Sequence, residues 1–216
     1  MDSKTYHIIG MSPGNSYFNE ETIHLLLKTV VENFGKAAVL IPDIPAISTY
    51  IALGYPENRA RRDKAIPKGN ALKNRVRAIM SQLNYSDEIV KIIDWENEVE
   101  NNSLYQEEYI KITNLYEKNL DFQAAVNNAS KSVLEGFENI LTDIKESSKI
   151  AAHYLLSEFA FLEFAVSFFK TDKIIYVYHK NWPVYENYIA GKFDTTPKTN
   201  LGFMLLKKKE EPTLKE

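Results

Sequence analysis

Cysteine is absent from this 216-residue chain. That excludes a disulfide framework and a thiolate metal site, and a covalent mechanism would need a hydroxyl, an amine or a carboxylate. A dominant charge of one sign is missing too, since 26 Lys and Arg face 29 Asp and Glu, a net charge of −3. The N-terminus lacks the basic-then-apolar layout of a signal peptide. No apolar run approaches 18 residues, and the longest, Phe159 to Phe169, is interrupted by Glu163 and Ser167. With 44% hydrophobic and 25% charged residues, the composition is that of a soluble globular protein. The expectation is a cytoplasmic chain with one domain over residues 1–206 and a charged, mobile tail over 207–216.

The charge that is present is segregated. All five arginines (Arg59, Arg61, Arg62, Arg75 and Arg77) lie within 19 positions, together with Lys64, Lys68 and Lys73 and the single acid Asp63. That window carries +7, and the rest of the chain carries −10. Charge runs are often only a solvated helix face. Here the confinement of every arginine favours one strongly positive patch on a negative body, the footprint of a polyanion site. Arginine suits phosphate because its planar fork pairs bidentately and is always charged.

Hydrophobic periodicity predicts an α/β alternation. Strands are expected over Tyr6 to Gly10, Ala37 to Ile41, Lys173 to His179 and Leu201 to Leu206. Helices are expected over Glu20 to Phe34, Asn70 to Leu83, Tyr105 to Leu120, Phe122 to Ile144 and Lys149 to Phe169. A further helix is expected after Ser86-Asp87-Glu88, with Ile89, Ile92, Ile93 and Val99 recurring through it.

Three constellations carry chemistry. Gly10-Met11-Ser12-Pro13-Gly14-Asn15-Ser16 follows the first strand directly. It therefore places a hydroxyl, Ser12, at the carboxyl end of a strand, where open α/β sheets collect ligands. Tyr154 and Glu158 stand four residues apart on the most apolar helix and so share a face. A carboxylate there is costly to bury unless it is paired, with a structural partner or with a cationic ligand. Tyr178-His179 ends a late strand. If that strand runs parallel to the first, a phenol able to relay protons opens onto the Ser12 edge. Gly10-Met11-Ser12-Pro13-Gly14 also matches the nucleophile-elbow spacing literally, so a serine hydrolase stays open, as does a non-catalytic RNA-binding module.

Together these motifs resemble the cyclodipeptide synthase family. The family's serine turn is matched by Gly10, Ser12, Pro13, Asn15, Ser16, Tyr17 and Phe18. Its Tyr-x-x-x-Glu helix motif is matched by Tyr154 and Glu158, and its late Tyr-His by Tyr178 and His179. Asn15, Tyr178 and His179 resemble the Asn-Tyr-His subgroup. Gly54-Tyr55 and the arginine-rich segment resemble the family's tRNA-contacting helix region.

The resemblance implies a Rossmann-like domain with a mainly parallel sheet flanked by helices, similar to class I aminoacyl-tRNA synthetase catalytic domains. It implies an enzyme that uses two aminoacyl-tRNAs in turn to make a 2,5-diketopiperazine, with Ser12 as nucleophile. Glu158 and Tyr154 would hold the substrate ammonium, Tyr178 would relay protons, and Gly10, Asn15 and His179 would position the serine region. Ile8, Leu40, Phe161, Leu162 and Tyr176 would wall an apolar aminoacyl pocket suited to leucine. Arg59, Arg61, Arg62, Lys64, Lys68, Lys73, Arg75 and Arg77 would contact tRNA. No cofactor, metal or membrane is implied, and a monomer is expected. No ATP is implied either, because the ester already carries the activation. In keeping with that, the chain lacks a Gly-x-x-x-x-Gly-Lys-Ser/Thr loop, Gly-x-Gly-x-x-Gly, His-Ile-Gly-His and Lys-Met-Ser-Lys-Ser.

Overall fold

The computed structural model describes residues 4–135, 141, 143–193 and 196–206. The expected tail, 207–216, lies outside the described residues, as do 136–140 within the helix expected to run to Ile144. Five strands form one sheet: β1 (Thr5–Gly10), β2 (Ala37–Leu40), β3 (Val90–Ile92), β4 (Lys173–Tyr178) and β5 (Leu201–Leu205). Their spatial order is β3-β2-β1-β4-β5, and every neighbouring pair is parallel. The chain moves outward from β1 through β2 to β3, then crosses to the other side of β1 for β4 and β5. The carboxyl ends of β1 and β4 therefore flank the point where the strand order reverses, the crevice where such sheets bind ligands.

Alternation along the strands divides the core in two. Ile8, Ala38, Leu40 and Tyr176 pack on one face with α5 (Ser103–Lys118), α6 (Leu120–Leu134), α7 (Ile144–Phe168) and α8 (Pro183–Ile189). Ile9, Ala37, Val39 and Val177 pack on the other with α1 (Glu20–Phe34) and α4 (Ile66–Gln82). Burial on both faces explains why these strands read as continuous apolar runs. The expected helix α1 forms between the Asn19 cap, whose side chain accepts from the Thr22 amide, and Gly35 at φ 81°.

α7 is long and apolar enough, by length and composition, to cross a membrane. Two thirds (67%) of its most apolar window is buried, and it packs against α2 (Ala46–Ala52), α5, α6 and β4. That burial is what the central helix of a folded core shows.

The helix expected after Ser86 does not form. The amides of Ile89 and Val90 bond to the Ser86 carbonyl in a single turn, and the chain then extends as β3. The Ala37 amide bonds to the Ile89 carbonyl, and the Ile93 amide to the Val39 carbonyl. Four of the five residues Ile89 to Ile93 are β-branched, which suits a pleated strand better than a helix. A π-helical turn, Trp95–Glu100, follows. The helix expected from Asn70 starts earlier, at Ile66, and is reached through α3 (Glu57–Arg59) and a π-helical turn, Ala60–Ala65. The helix expected from Phe122 to Ile144 is two elements: α6 ends at Leu134, and Ile144 opens α7, capped by Asp143. The seven-residue helices α2 and α8 were not expected, because so short a span shows no helical period.

Candidate active site

β1 continues by one rung beyond Gly10, as the Met11 amide bonds to the Leu40 carbonyl at 2.9 Å. Pro13 and Gly14 then turn the chain, with Gly14 at φ 78° and the Asn15 amide on the Ser12 carbonyl at 3.2 Å. The Asn15 side chain accepts from the Tyr17 amide at 3.0 Å, which shapes the turn without reaching the Ser12 hydroxyl. Ser12 thus stands on the expected strand–turn–helix connection.

Two other elements converge on it. The Ser12 Oγ lies 3.0 Å from the Tyr178 Oη at the end of β4, and the Tyr154 phenol on α7 donates to Ser12 Oγ at 3.4 Å. The Tyr154 phenol also bears on the Glu158 carboxyl one turn further along α7, whose pKa it lowers. Tyr176 Oη, two residues back on β4 and on the same strand face as Tyr178, donates to Glu158 Oε1 at 3.4 Å. The polar groups therefore cluster here: Ser12 bonds to Tyr154 and lies within bonding distance of Tyr178, and Tyr176 bonds to Glu158, which stands one turn from Tyr154 on α7.

Glu158 is 5% exposed and, among the described residues, has no cationic side chain within 4 Å. Burial pushes its pKa up to about 8, opposed only in part by the two tyrosine hydroxyls. Burial also drives the Tyr154 and Tyr176 phenols well above their usual range and moves Tyr178 up to about 12, with the Ser12 bond pulling it back. Near neutral pH the phenols hold their protons, and so, for the most part, does Glu158. Glu163, five residues further along α7, faces elsewhere and is paired with Lys198 at 3.0 Å and with the Tyr188 hydroxyl.

His179 turns to the opposite face of β4 from Tyr178. Its ring stacks on Tyr17 at 4.0 Å and meets Phe18 edge-on at 5.1 Å. Among the described residues neither ring nitrogen has a hydrogen-bond partner, and burial lowers its pKa to about 4. The imidazole packs behind the turn that carries Ser12.

The expected pocket walls Ile8, Leu40, Phe161 and Leu162 are fully buried and share one cluster with Tyr176. A groove of about 410 Å³ between α2, α5 and α7 is lined by other residues, among them Ser48, Trp95, Tyr105, Tyr109 and His153. Tyr176, expected as an apolar wall, also turns its hydroxyl to Glu158. An aromatic residue two before the late Tyr-His was the available signal.

The basic segment divides by direction. Lys73, partly buried, pairs with the buried Asp43 at 2.6 Å, and Arg75 donates to the Phe18 carbonyl at 2.7 Å. Those two hold α4 against the end of β2 and the Ser12 turn. Arg59 and Arg62 share Asp63, Arg61 meets Glu96, and Arg77 bonds to Asn74. Lys64 and Lys68 lie over tyrosine rings.

The family model described as cyclodipeptide synthase matches residues 1–208. The chain belongs to the cyclodipeptide synthase family. It is 24% identical over 223 residues to a cyclo(L-leucyl-L-leucyl) synthase of Staphylococcus haemolyticus, covering 98% of this chain and 91% of that protein. Its fold is similar to that of a cyclodipeptide synthase crystal structure from Bacillus thermoamylovorans, with TM-score 0.80, 24% identity and coverage of 96% and 90%. A Mycobacterium tuberculosis structure matches with TM-score 0.72, 18% identity and coverage of 93% and 84%, and is described as demonstrating that cyclodipeptide synthetases are related to type I tRNA synthetases. The five-stranded parallel sheet is thus the Rossmann-like scaffold of an enzyme family, and in this synthase Ser12 stands at its switch point.

Proposed function

We propose that this synthase takes two aminoacyl-tRNAs in turn and closes their aminoacyl groups into a diketopiperazine through a covalent intermediate on Ser12. One observation carries the reading: the Ser12 hydroxyl is held by two phenols beside a buried carboxyl, Glu158, that has no cationic partner among the described residues. A carboxyl of that kind is matched to a substrate ammonium, which would draw it into its charged form.

In the first step Ser12 Oγ attacks the ester carbonyl of an aminoacyl-tRNA. The bond to the ribose oxygen breaks, and the Ser12 proton passes through the adjacent phenols to the departing hydroxyl. Glu158 and Tyr154 hold the ammonium meanwhile. The amine of the Ser12-bound residue then attacks the second ester, releasing the second tRNA and leaving a dipeptidyl ester on Ser12. Its terminal amine attacks that ester, the ring closes, and Ser12 recovers its proton by way of Tyr178. An α-amino group has a pKa near 8, so the substrate supplies part of the base chemistry.

The unpartnered imidazole of His179 argues against a Ser-His-Asp hydrolase. Asn15, Tyr178 and His179 support placement in the Asn-Tyr-His subgroup. The apolar surroundings and the names of the relatives support leucine in the product, as in cyclo(Leu-Leu). The supply of charged tRNA supports a cytoplasmic enzyme, and we assign it as a monomer. Mass spectrometry of medium from cells expressing the chain tests the reading. Diketopiperazine masses containing leucine are expected, and their absence with folded protein present overturns it.

A further inference from the structure

Two faces of α4 meet two different parts of the sheet's carboxyl edge. Lys68 and Arg75 stand two helical turns apart on one side of the helix, and both touch the Ser12 turn. The Lys68 stem crosses Gly14 so closely that a Cβ there would stand 2.8 Å from Lys68 Cδ, and Arg75 donates to the Phe18 carbonyl at 2.7 Å. Gly69 and Lys73, one turn apart on an adjacent side, face the end of β2 instead. Lys73 Nζ meets Asp43 Oδ2 at 2.6 Å, and a Cβ on Gly69 would collide with the Asp43 side chain. The missing side chain at position 69 is what lets α4 come this close.

The carboxylate at the centre of this contact is fixed on both oxygens. Asp43 is 3% exposed, and its Oδ1 accepts from the Ile44 amide at 3.0 Å while Oδ2 takes Lys73. The pair is largely shielded from water, so removing one partner leaves an uncompensated charge. Lys73 reaches a second strand end as well. Asp94, after β3, is held below the usual carboxylate range first by the Asn97 side chain, against burial, and then by the Asn97 amide and the charge of Lys73. One ammonium thus ties α4 to the carboxyl ends of β2 and β3. β2 in turn supplies the Leu40 carbonyl that bonds to the Met11 amide, directly before the nucleophile.

We infer that Asp43 and Lys73 are positioning residues: their ion pair fixes the depth at which α4 lies on the Ser12 turn, and so keeps the Ser12 hydroxyl in reach of Tyr178 and Tyr154. Neither residue touches the reacting atoms. The inference rests on the reading that Ser12 accepts the acyl group. A reacting atom misplaced by about 1 Å can cost about 10²-fold in rate. A helix free to rock against β2 would move the turn through Gly14 and Phe18 on that scale. Lys73 therefore serves the nucleophile from inside the fold, not as a phosphate contact.

The test gives the full chain an excess of leucyl-tRNA and follows, by intact-protein mass spectrometry, how fast the aminoacyl adduct appears in a single turnover. Affinity for uncharged tRNA and its salt slope are measured beside it, below the melting temperature of each variant. Lys73→Met should slow adduct formation by about 10–100-fold, with tRNA affinity within twofold and the salt slope unchanged. Asp43→Asn keeps an acceptor for the Ile44 amide and discharges the pair. It should slow the adduct to a similar degree, and it decides the matter even where Lys73→Met fails to fold. Lys73→Arg, which keeps the pair, should recover most of the rate. An unchanged adduct rate in the folded variants reduces the pair to a structural brace and overturns the inference. A salt slope lowered by about one in Lys73→Met, with the rate in excess tRNA kept, makes Lys73 a phosphate contact and overturns it too. An adduct missing from the unaltered, folded protein counts instead against the Ser12 reading beneath it.

Discussion

The Tyr176 phenol fills the space that a side chain at position 10 would need. A Cβ on Gly10 would stand 2.8 Å from Tyr176 Cε2 and closer still to its oxygen. Gly10 is thus required for close approach: it lets Tyr176 lie against the end of β1 and reach Glu158. Gly10→Ala should displace the Tyr176 ring, lose Glu158 a partner, and cut product formation at least tenfold. Adding Tyr176→Leu, which shortens the intruding side chain, should restore part of that loss. Product yield measured on the single and double variants checks this.

Ser12→Ala should abolish both product and any aminoacyl adduct detectable by intact-protein mass spectrometry. Tyr178→Phe removes only the hydroxyl 3.0 Å from Ser12. It should keep the adduct while slowing cyclisation by about 10²–10⁴-fold, the usual worth of a positioned acid–base group. Neither protein should hydrolyse simple esters. Measurable ester turnover by the unaltered chain would revive the hydrolase alternative.

Glu158 makes stability depend on pH in a defined direction. Its native pKa of about 8 exceeds the ordinary 4.5. Between those values the native state holds a proton that the unfolded state has released. The free protein should therefore lose stability as pH rises from about 5 to about 8 and change little beyond. Glu158→Gln should flatten that slope, so the two melting-temperature curves differ by several degrees across the window. His179, with its pKa lowered to about 4, acts on the acid side, where stability falls as pH drops below about 6.5. The comparison with Gln isolates the carboxyl. Glu158→Gln should also weaken retention of the aminoacyl group.

Arg75 and Arg77 look equivalent in sequence and should behave differently. Arg75→Glu removes the donor to the Phe18 carbonyl and should destabilise the fold by about 1–3 kcal/mol. Arg77 is exposed and, among the described residues, bonded only to Asn74, so Arg77→Glu should leave the melting temperature unchanged and weaken RNA binding. Its salt slope should fall by about one. Unchanged RNA affinity would remove Arg77 from the contact surface.

Much of the site was legible because its signals are local. The Gly-Met-Ser-Pro-Gly break marks the end of β1, and Asn19 marks the start of α1. The spacing of Tyr154 and Glu158 puts both on one face of α7. β3 was misread because Ile89, Ile92 and Ile93 fit a helical period as well as an extended run. Pairing with β2 decided between them, and that contact lies outside the segment itself.

By itself the sequence determined the periods, the caps, the placement of a hydroxyl after a strand and the confinement of every arginine. These depend on neighbours within a few residues. Only the tertiary structure decided that Ser12 meets Tyr178 across 166 positions, that the Tyr176 hydroxyl faces Glu158, and that Lys73 and Arg75 point inward. The physical reason is that parallel pairing sets which strand ends share an edge, and packing sets which way each side chain points. Both arise from contacts between distant segments, which no local pattern encodes.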